Sequence, residues 1–411
     1  MPCRCGDTII ANAFLTGDLG PCTGHGLIIK SGVELDCRGH VIQGSGGISE
    51  QFGVHIEGAR DAEVRGATVK ACRISGFRRG IRLRGASSSL IADNTTTGNG
   101  NFQTHEGYGI DVSGGSHNNI FQANRVERNA DEGIHVGTGS HKNRFVDNTS
   151  RDNHREALYL LAADGNVFIG NTLGGGGVNS LYLKDSSSNL FERNTFVART
   201  ARIIGTARDN RFIDNTFSGA GLHFAPYKGD PSRAPTNNVV IGGSITGTRE
   251  CVRFTSSRGN VVADAAFGDC RTAVRAESPS GPSENGVIGP APATVEVDNA
   301  SSLDLGRRVS IEVRDADGAA VRDAEVQAVD ATGKALFTAA TDDKGSTAPQ
   351  VIITATLKGS QTIGRTPIRI TVTKPGFAPE TRTLGTVDEA RLAVTIRPSA
   401  DSLPASSPRS N

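Results

Sequence analysis

The sequence of 411 residues contains no tryptophan, four tyrosines and one methionine, and its net charge is +1 at pH 7. It lacks any run of about 18 apolar residues, which excludes a transmembrane helix. Because positive and negative charges balance, a nucleic-acid partner is not expected. Apolar residues never recur at the 3.6-residue spacing of an amphipathic helix, which excludes a helical fold. The chain is instead rich in glycine, with 51 such residues, as expected for a protein with many tight turns.

The seven cysteines do not follow the spacing of a zinc site. Cys251 and Cys270 are 19 residues apart, and Cys5 and Cys22 bracket the first strand pair, so each pair is placed to face across adjacent coils. The odd count leaves a free thiol, for which Cys37 is the candidate. The first five residues contain no apolar signal segment, so the protein is either intracellular or has lost an export signal. Paired cysteines favour a secreted or periplasmic location.

A short phrase is repeated along the middle of the chain. Its form is Asn-x-Phe-x-x-Asn, and its first asparagine recurs after 24, 23, 23 and 21 residues, at positions 119, 143, 166, 189 and 210. Between these phrases stand triplets in which two apolar residues flank an outward one, such as Gly133-Ile-His-Val136 and Ser180-Leu-Tyr-Leu183. A period this short, with a strand-like triplet in each copy, is typical of a solenoid. We predict a parallel β-helix in which each period forms one coil and the asparagines form a ladder.

The period defines the domain organisation. We expect a cap and first coils at 1–45, a parallel β-helix at 46–276, a linker at 277–307, a small β-sandwich at 308–398 and a disordered tail at 399–411. Two segments exceed the period, Asn99–Gly107 and Ala225–Thr236, and extra residues in a solenoid usually form loops beside a binding face. The fold class is therefore all-β, a parallel β-helix followed by a β-sandwich.

The outward residues of successive triplets form a column on one face. The predicted members are His55, Arg82, Asp111, His135, Tyr159, Tyr182, Ile203, His223, Arg253 and Arg275. Beside the column stand Tyr108, Glu132, Glu156 and Asn179, together with Asp131, Arg155 and Lys184. Tyr227 and Lys228 lie in the second loop. Because neighbouring members are about one strand spacing apart, the column predicts a groove for an extended polymer.

These residue types suit proton transfer at an acidic sugar. Arg155 or Lys184 can neutralise a uronate carboxylate, His135 or Tyr159 can act as base, and Tyr182 or Tyr108 as acid, with Asp111 in the same site. The predicted catalytic residues are His135, Tyr159, Tyr182, Asp111 and Arg155. The predicted substrate-binding residues are Tyr108, Glu132, Glu156, Lys184, His223, Tyr227 and Lys228. No metal ligand is assigned; calcium near Glu106, Asp111 and Asp131 is an open alternative.

Several alternatives remain. Asp111 with Glu132, or Asp131 with Glu156, would meet the paired-carboxylate requirement of a glycoside hydrolase. Glu132 and Glu156 can also simply pair with Arg155. His117 and His141 occupy the same corner of adjacent coils and are interpreted as a stacked pair. The sequence leaves the oligomeric state open.

Three resemblances bear on function. The segment Leu35-Asp-Cys-Arg-Gly-His-Val-Ile-Gln-Gly44 and the coils that follow it to about residue 276 resemble right-handed β-helix repeat proteins of the pectate-lyase-like superfamily. Tyr108-Gly-Ile-Asp111 resembles the start of the catalytic motif of mannuronan C5-epimerases, which places Asp111 in the site; the histidine that follows in that family is absent, and His135 on the next coil is its candidate replacement. Lys374-Pro-Gly-Phe377 resembles a strand end of carboxypeptidase-regulatory-like or Ig-like domains.

The resemblances imply a polysaccharide lyase or C5-epimerase. The competing class is a non-catalytic β-helix, either a surface or carbohydrate-binding protein or a periplasmic accessory protein such as those tied to copper-site maturation. A copper site would need soft ligands, and one methionine with scattered histidines argues against it.

Overall fold

The structure is a computed structural model that describes residues 3–46, 51–58, 63–387 and 390–399. The chain divides into two compact units. The first comprises Met1–Asn285 and Pro292–Glu296, and the second comprises Gly286–Ala291 and Val297–Asn411. No helix in the described ranges has the length and apolar character needed to span a membrane.

The first unit is the predicted right-handed parallel β-helix, whose coils contribute strands to three parallel walls. Wall 1 contains Asp7–Ile9, Leu27–Ile29, Phe52–Glu57, Arg79–Arg84, Ile110–Ser113, Ile134–Val136, Glu156–Leu161, Asn179–Lys184, Ala201–Ile204, Leu222–Ala225, Glu250–Thr255, Thr272–Glu277 and Val295–Val297. Wall 2 contains Ala13–Phe14, Glu34–Asp36, Thr68–Lys70, Leu90–Ala92, Ile120–Gln122, Arg144–Val146, Val167–Ile169, Leu190–Glu192, Arg211–Ile213, Val239–Ile241, Arg258–Ala263 and Ser283–Ile288. Wall 3 contains Leu19–Cys22, Val41–Gly44, Arg73–Ser75, Thr95–Thr97, Arg125–Glu127, Thr149–Arg151, Thr172–Gly174, Thr195–Val197, Thr216–Ser218, Ser244–Thr246 and Ala266–Gly268. Val64–Arg65 and Ala86–Ser87 form a separate two-stranded sheet, and Tyr227–Gly229 and Pro231–Arg233 are 3₁₀ turns.

Stacked phenylalanines fill part of the bore. Phe121, Phe145, Phe168, Phe191 and Phe212 come from successive coils of wall 2, and the rings of neighbours are nearly parallel, with centroids 4.5–4.8 Å apart. All five side chains are buried. The stack follows from the central phenylalanine of the repeated phrase, because residues at equivalent positions of a solenoid lie one strand spacing apart.

The asparagines that flank each phrase form the predicted ladders. Asn119 shows the pattern: its backbone N–H and its side-chain amide both donate to Oδ1 of Asn143, while its own Oδ1 accepts from the backbone N–H of Ser89. Its amide also donates to the carbonyl of Ala86 at 2.8 Å. Each ladder asparagine is buried, so these bonds satisfy corner groups that water cannot reach.

The left-handed backbone conformation of each corner falls on the residue before the ladder asparagine. The residue before the ladder asparagine has positive φ, as at Asn118, Lys142, Ser188, Asp209 and Asn237. The ladder asparagine itself does not, because its side chain must stay in line with the asparagine of the next coil. The corner therefore separates two roles, one residue that turns the chain and one that bonds across coils.

Two disulfides match the sequence prediction and one corrects it. Cys5–Cys22 and Cys251–Cys270 are bonded. Cys37, the predicted free thiol, is instead bonded to Cys72 on the neighbouring coil, and Cys3 is the free cysteine. Cys37 and Cys72 are 35 residues apart. Because this separation exceeds one regular period, the pair was not predicted from the sequence.

The predicted linker at 277–307 is wrong, since it contains the strands Ser283–Ile288 and Val295–Val297 and the start of Ser301–Arg314. The ladder also continues into it, because the Asn260 amide donates to Oδ1 of Asn285 at 3.0 Å. Of the tail predicted at 399–411, only Ser399 lies within the described residues.

The second unit consists of two small sheets around a shared apolar core. One contains Ser301–Arg314, Gln350–Lys358, Gln361–Gly364 and Arg391–Thr395; the other contains Glu325–Val329, Ala335–Ala340, Ile368–Thr373 and Glu380–Leu384. Buried residues from both sheets, among them Ile311, Val326 and Ile370, form the core. Alternating apolar residues in the sequence predict six of these strands, at 309–313, 324–329, 335–338, 351–354, 368–372 and 392–396. They do not predict Gln361–Gly364 and Glu380–Leu384. The resemblance to Ig-like or carboxypeptidase-regulatory-like domains stays a prediction.

Replacing a ladder asparagine is expected to destabilise the β-helix strongly. Asn119→Ala leaves the Ser89 N–H buried without a partner, and the Ala86 carbonyl keeps only the bond from the His117 N–H. Because the side-chain donor to Asn143 is lost as well, we expect a loss of about 3 kcal/mol in the free energy of unfolding. Urea denaturation followed by circular dichroism measures it. The matched control is Asn118→Gly, which keeps the left-handed corner and removes an exposed side chain; a change beyond about 0.5 kcal/mol there would be unexpected. Equal losses in the two variants would contradict the ladder's role.

Candidate functional site

The predicted column forms on wall 1, with one correction. Strand pairing places its members in register, one per coil, from Arg82 through Asp111, His135, Tyr159 and Tyr182 to Arg202, His223, Arg253 and Arg275. The predicted member Ile203 is wrong, because Ile203 is fully buried in the bore and Arg202 takes the outward position. Ala201 occupies the first inward position of that triplet. Because alanine is a weak apolar signal, the triplet was assigned one residue too late in the sequence.

Asp111 lies at the centre of a charged group. Its side chain is buried, and one oxygen lies 3.2 Å from Nε of Arg79 and 3.6 Å from Nε of Arg82. Its other oxygen lies 3.4 Å from Nδ1 of His135 without the geometry of a hydrogen bond. Arg79 precedes the triplet of its coil and was not among the predicted site residues. Two guanidinium groups and one imidazole therefore surround a single carboxylate.

Aromatic rings enclose His135 and continue along the column. The Tyr108 ring is tilted against the imidazole at a centroid distance of 4.6 Å, and the Tyr159 ring is stacked on its other side at 5.4 Å. Tyr182 meets Tyr159 edge to face at 5.3 Å, and the Arg202 guanidinium lies 5.8 Å from the Tyr182 ring. Burial, helped by nearby charges, raises the pKa values of Tyr108, Tyr159 and Tyr182, so these phenols stay protonated.

A second acidic group lies at the start of the same strands. Carboxylate oxygens of Asp131, Glu132 and Glu156 all lie within 4.8 Å of one another. The half-exposed Arg155 side chain contacts this group, 3.4 Å from Asp131 and 3.6 Å from Glu156. Of the two pairings predicted for Arg155, with Glu132 and with Glu156, the structure therefore contains the one with Glu156. The Asn179 amide donates to Glu156 at 2.9 Å. Burial above all, together with the neighbouring carboxylates, raises the pKa values of Asp131 and Glu132.

The second loop approaches the column through Tyr227. The ammonium of Lys184 lies 4.0 Å from the Tyr227 ring centroid, and the Arg233 guanidinium lies 4.5 Å from it. Arg233 also donates to Asp185 at 2.7 Å, which fixes the loop to wall 1. A hydrogen bond from Lys184 and the nearby positive charges of Lys184 and Lys228 lower the pKa of Tyr227. Lys184, Tyr227 and Lys228 thus form a cationic patch; their role in binding stays a prediction.

The far end of the column is saturated by ion pairs. Arg253 donates to Glu277 at 2.6 Å, and Arg275 donates to Glu250 at 3.0 Å. His223 lies next to them, accepts or donates a hydrogen bond with Thr255 at 3.0 Å, and has its pKa lowered to about 4 by burial and the charges of Arg202 and Arg253. A neutral His223 can position a ligand but is a weak proton donor at neutral pH.

Unsatisfied polar atoms concentrate on wall 1. Among the described residues, buried side-chain atoms without a hydrogen-bond partner include Nε of Arg82, Oδ1 of Asp111, both ring nitrogens of His135 and Nε of Arg202. Buried polar groups in native proteins are nearly always paired, so unpaired ones need an explanation such as a ligand. This wall is therefore the candidate functional site.

Other predicted groups fall elsewhere. Glu106 pairs with Arg78 and Asp111 with Arg79, so neither belongs to the cluster that contains Asp131, and the calcium site suggested for these three residues does not form. His117 and His141 form the predicted stacked pair, with centroids 4.9 Å apart and rings 6° from parallel.

Solved structures with a similar architecture include carbohydrate-active proteins. The periplasmic alginate epimerase AlgG is 15% identical, with a TM-score of 0.38, over 66% of this chain and 77% of that one. The Azotobacter vinelandii mannuronan C-5 epimerase AlgE4 A-module is 14% identical, with a TM-score of 0.39, over 71% and 80%. Tailspike protein 2 of the Escherichia coli O157:H7 bacteriophage CAB120 is 11% identical, with a TM-score of 0.31, over 93% and 65%.

No curated protein sequence matches the chain significantly. One protein-family model does, and its description is periplasmic copper-binding protein (NosD). It matches residues 11–200 and, in a second overlapping alignment, residues 100–229. These matches cover the coils that carry the asparagine ladders and most of the column. Because together they span more than half of the chain, this protein belongs to the NosD family of right-handed parallel β-helices.

Proposed function

We propose that this protein binds an extended acidic polysaccharide along wall 1 and removes the C5 proton of a uronate unit, as a C5-epimerase or a lyase. The observation that carries the proposal is the environment of His135. Its imidazole lies between two tyrosine rings and beside a buried carboxylate, and neither ring nitrogen has a hydrogen-bond partner in the described structure. A group held in place but left unpaired is suited to accept a proton from a bound ligand.

His135 acts as the base in this scheme. It takes the proton from C5, and the electron pair of the broken C–H bond moves into the uronate carboxylate. Asp111, 3.4 Å from Nδ1, stabilises the resulting imidazolium. The epimerase-like segment Tyr108-Gly-Ile-Asp111 is not followed by a histidine in the sequence. His135, which pairs with Asp111 from the next coil, provides an imidazole beside that segment.

Tyr159 is the acid. Its raised pKa excludes a phenolate base at neutral pH, so of the two roles open to the tyrosines, proton donation fits. If Tyr159 protonates C5 from the opposite face, the sugar is epimerised. If instead the electron pair returns to form a double bond between C4 and C5 while the bond from C4 to the glycosidic oxygen breaks, and Tyr159 gives its proton to that oxygen, the polymer is cleaved by β-elimination. Both outcomes share the first step.

Arg82 replaces Arg155 as the residue that neutralises the uronate carboxylate. Arg155 already pairs with Asp131 and Glu156. Arg82 shares Asp111 with Arg79, so its positive charge is only partly compensated, and its Nε lacks a hydrogen bond. A guanidinium on the column presents two donors to a carboxylate, which lowers the cost of the enolate that forms.

The rest of the column provides binding positions for further sugar units. Tyr182 offers a stacking surface, Arg202 a cation, and Lys184 with Lys228 a cationic patch on the loop. Arg202 stands three rungs from His135, roughly 14 Å along the wall, so the two contact different units of the polymer. The three disulfides support a secreted or periplasmic location for this activity.

The copper binding in the family description does not fit the donor groups present. Copper prefers imidazole, thiolate and thioether ligands. In the described ranges, the one group of three potential ligands contains only carboxylates, and six cysteines are in disulfides. A glycoside hydrolase is also disfavoured, because Asp111, Asp131, Glu132 and Glu156 are all buried and a sugar ring cannot lie between them.

Removing the proposed base or acid is expected to abolish activity without loss of binding. His135→Ala and Tyr159→Phe should each lower turnover at least 100-fold, since general acid–base groups contribute about that much. A panel of uronate polymers is assayed for unsaturated uronate absorbing in the near ultraviolet, which reports a lyase, and for exchange of the C5 proton with solvent deuterium, which reports an epimerase. His141→Gln, at a distant corner, is the control. Absence of both signals in the wild-type protein, with intact polymer binding, would favour a non-catalytic binder.

Arg202 is expected to contribute to binding rather than to turnover. Arg202→Gln should weaken affinity for the polymer about tenfold, the value of one charge-assisted hydrogen bond, and reduce its dependence on salt. Affinity electrophoresis or calorimetry across a salt series measures this. The control is Arg208→Gln, an exposed arginine on a corner. Equal weakening in both variants would mean that the contribution is long-range charge and not a subsite.

A further inference from the structure

The acidic cluster at the start of the wall 1 strands carries more negative charge than its surroundings neutralise. Asp131, Glu132 and Glu156 are each at most 6% exposed. Arg155 is the cation that contacts them, its side chain is 49% exposed, and its contacts with Asp131 and Glu156 are as long as 3.4 and 3.6 Å. A half-exposed arginine at these distances is a weak counter-charge. Ionising all three carboxylates beside one such partner would leave a buried excess of negative charge, which is costly unless a further cation compensates it.

Unpaired carboxylate oxygens provide an independent sign of a missing partner. Oε2 of Glu132 and Oε2 of Glu156 are fully shielded from water and accept no hydrogen bond. Glu156 has a donor on its other oxygen, the Asn179 amide, so that side chain is held in position. Its Oε2 has only the Nε of Arg155 nearby, at 3.6 Å. Buried carboxylates usually gather several donors, and a bound cation satisfies such oxygens where donors are missing.

The spacing and chemistry select the kind of cation. Calcium binds oxygen ligands at 2.3–2.6 Å, so two oxygens on one ion stand up to about 5 Å apart. The ligand oxygens of this cluster lie within 4.8 Å of one another. Magnesium requires a tighter octahedron, and copper prefers nitrogen and sulfur ligands. A ligand set made only of carboxylates matches a hard ion with flexible geometry.

We propose that Asp131, Glu132 and Glu156 bind one calcium ion. The ion compensates the buried charge and ties together two adjacent coils, since Asp131 and Glu132 precede the strand Ile134–Val136 and Glu156 begins the next strand. The neighbouring loop is held on the same side, where His105 stacks on His154 at a centroid distance of 4.1 Å. Because the site needs no polysaccharide, calcium binding can be tested independently of the proposed enzymatic activity.

The test uses the full chain after removal of metals with a chelator. Isothermal titration with calcium chloride alone is expected to show one site per chain, and calcium is expected to raise the melting temperature, because a ligand bound only by the folded state stabilises it. Glu132→Gln should weaken calcium binding at least tenfold, since carboxylate count sets affinity in such sites. Glu156→Gln should do the same, which keeps the test valid if one variant fails to fold. Glu192→Gln, which alters a carboxylate of wall 2, is the control.

Three results would overturn the proposal. The first is a wild-type protein whose melting temperature and titration heat do not change when calcium is raised tenfold within the millimolar range. The second is equal calcium affinity in Glu132→Gln and Glu192→Gln, which would place binding elsewhere. The third is copper binding that depends on Glu132 while calcium does not bind, which would assign the cluster to the metal in the family description.

Discussion

The register between coils is the constraint on which every other feature depends. It is set by buried asparagine amides. In the middle of a ladder, an amide receives two donors from the coil before it and donates to the coil after it, as Asn143 does with Asn119 and Asn166. A shift of one residue would turn the strand triplets inside out and leave these amides unpaired in the interior. Because both penalties repeat at every coil, register is specified many times over. Side chains more than twenty residues apart in sequence, such as Asp111 and His135, are thereby held as neighbours.

Because the coils are held rigidly, wall 1 can contain polar atoms that lack hydrogen-bond partners. The two inward residues of each triplet are apolar and buried, and the stabilisation they provide does not depend on the residue that points outward. Wall 1 can therefore bring Arg82, Asp111 and His135 together with unpaired nitrogen and oxygen atoms, an arrangement that costs stability locally. On the coils beyond His223 the same column is instead closed by ion pairs such as Arg253 with Glu277. The contrast between the two parts of one column marks where a ligand is expected.

The features that could be predicted from the sequence are those that repeat once per coil. Features that do not follow the repeat were missed. The coils, the asparagine ladders, the column and two disulfides follow from equivalent positions one repeat apart. Arg202 was missed because Ala201 shifted the visible apolar pattern by one residue, and Cys37–Cys72 because their separation of 35 residues exceeds a regular coil. The strands within 277–307 were missed because proline and serine obscured the alternation. The sequence placed Asp131, Glu132 and Glu156 side by side next to the column but did not predict that all three carboxylates meet. Their distances depend on side-chain direction at a corner, which the period does not determine.

The family description and the chemistry of this chain point to different ligands, and the outward residues are where such differences arise. Membership in the NosD family rests on the match over residues 11–229, a region whose repeated asparagines and phenylalanines are needed to stack coils whatever ligand is bound. The residues that would recognise a ligand occupy the one position of each triplet that the fold leaves unconstrained. In this chain those positions hold tyrosine, histidine and arginine beside carboxylates, which suits an acidic sugar and a hard cation better than copper. A family defined by its coils can therefore contain members with different ligands, and the outward column is the part of the sequence that distinguishes them.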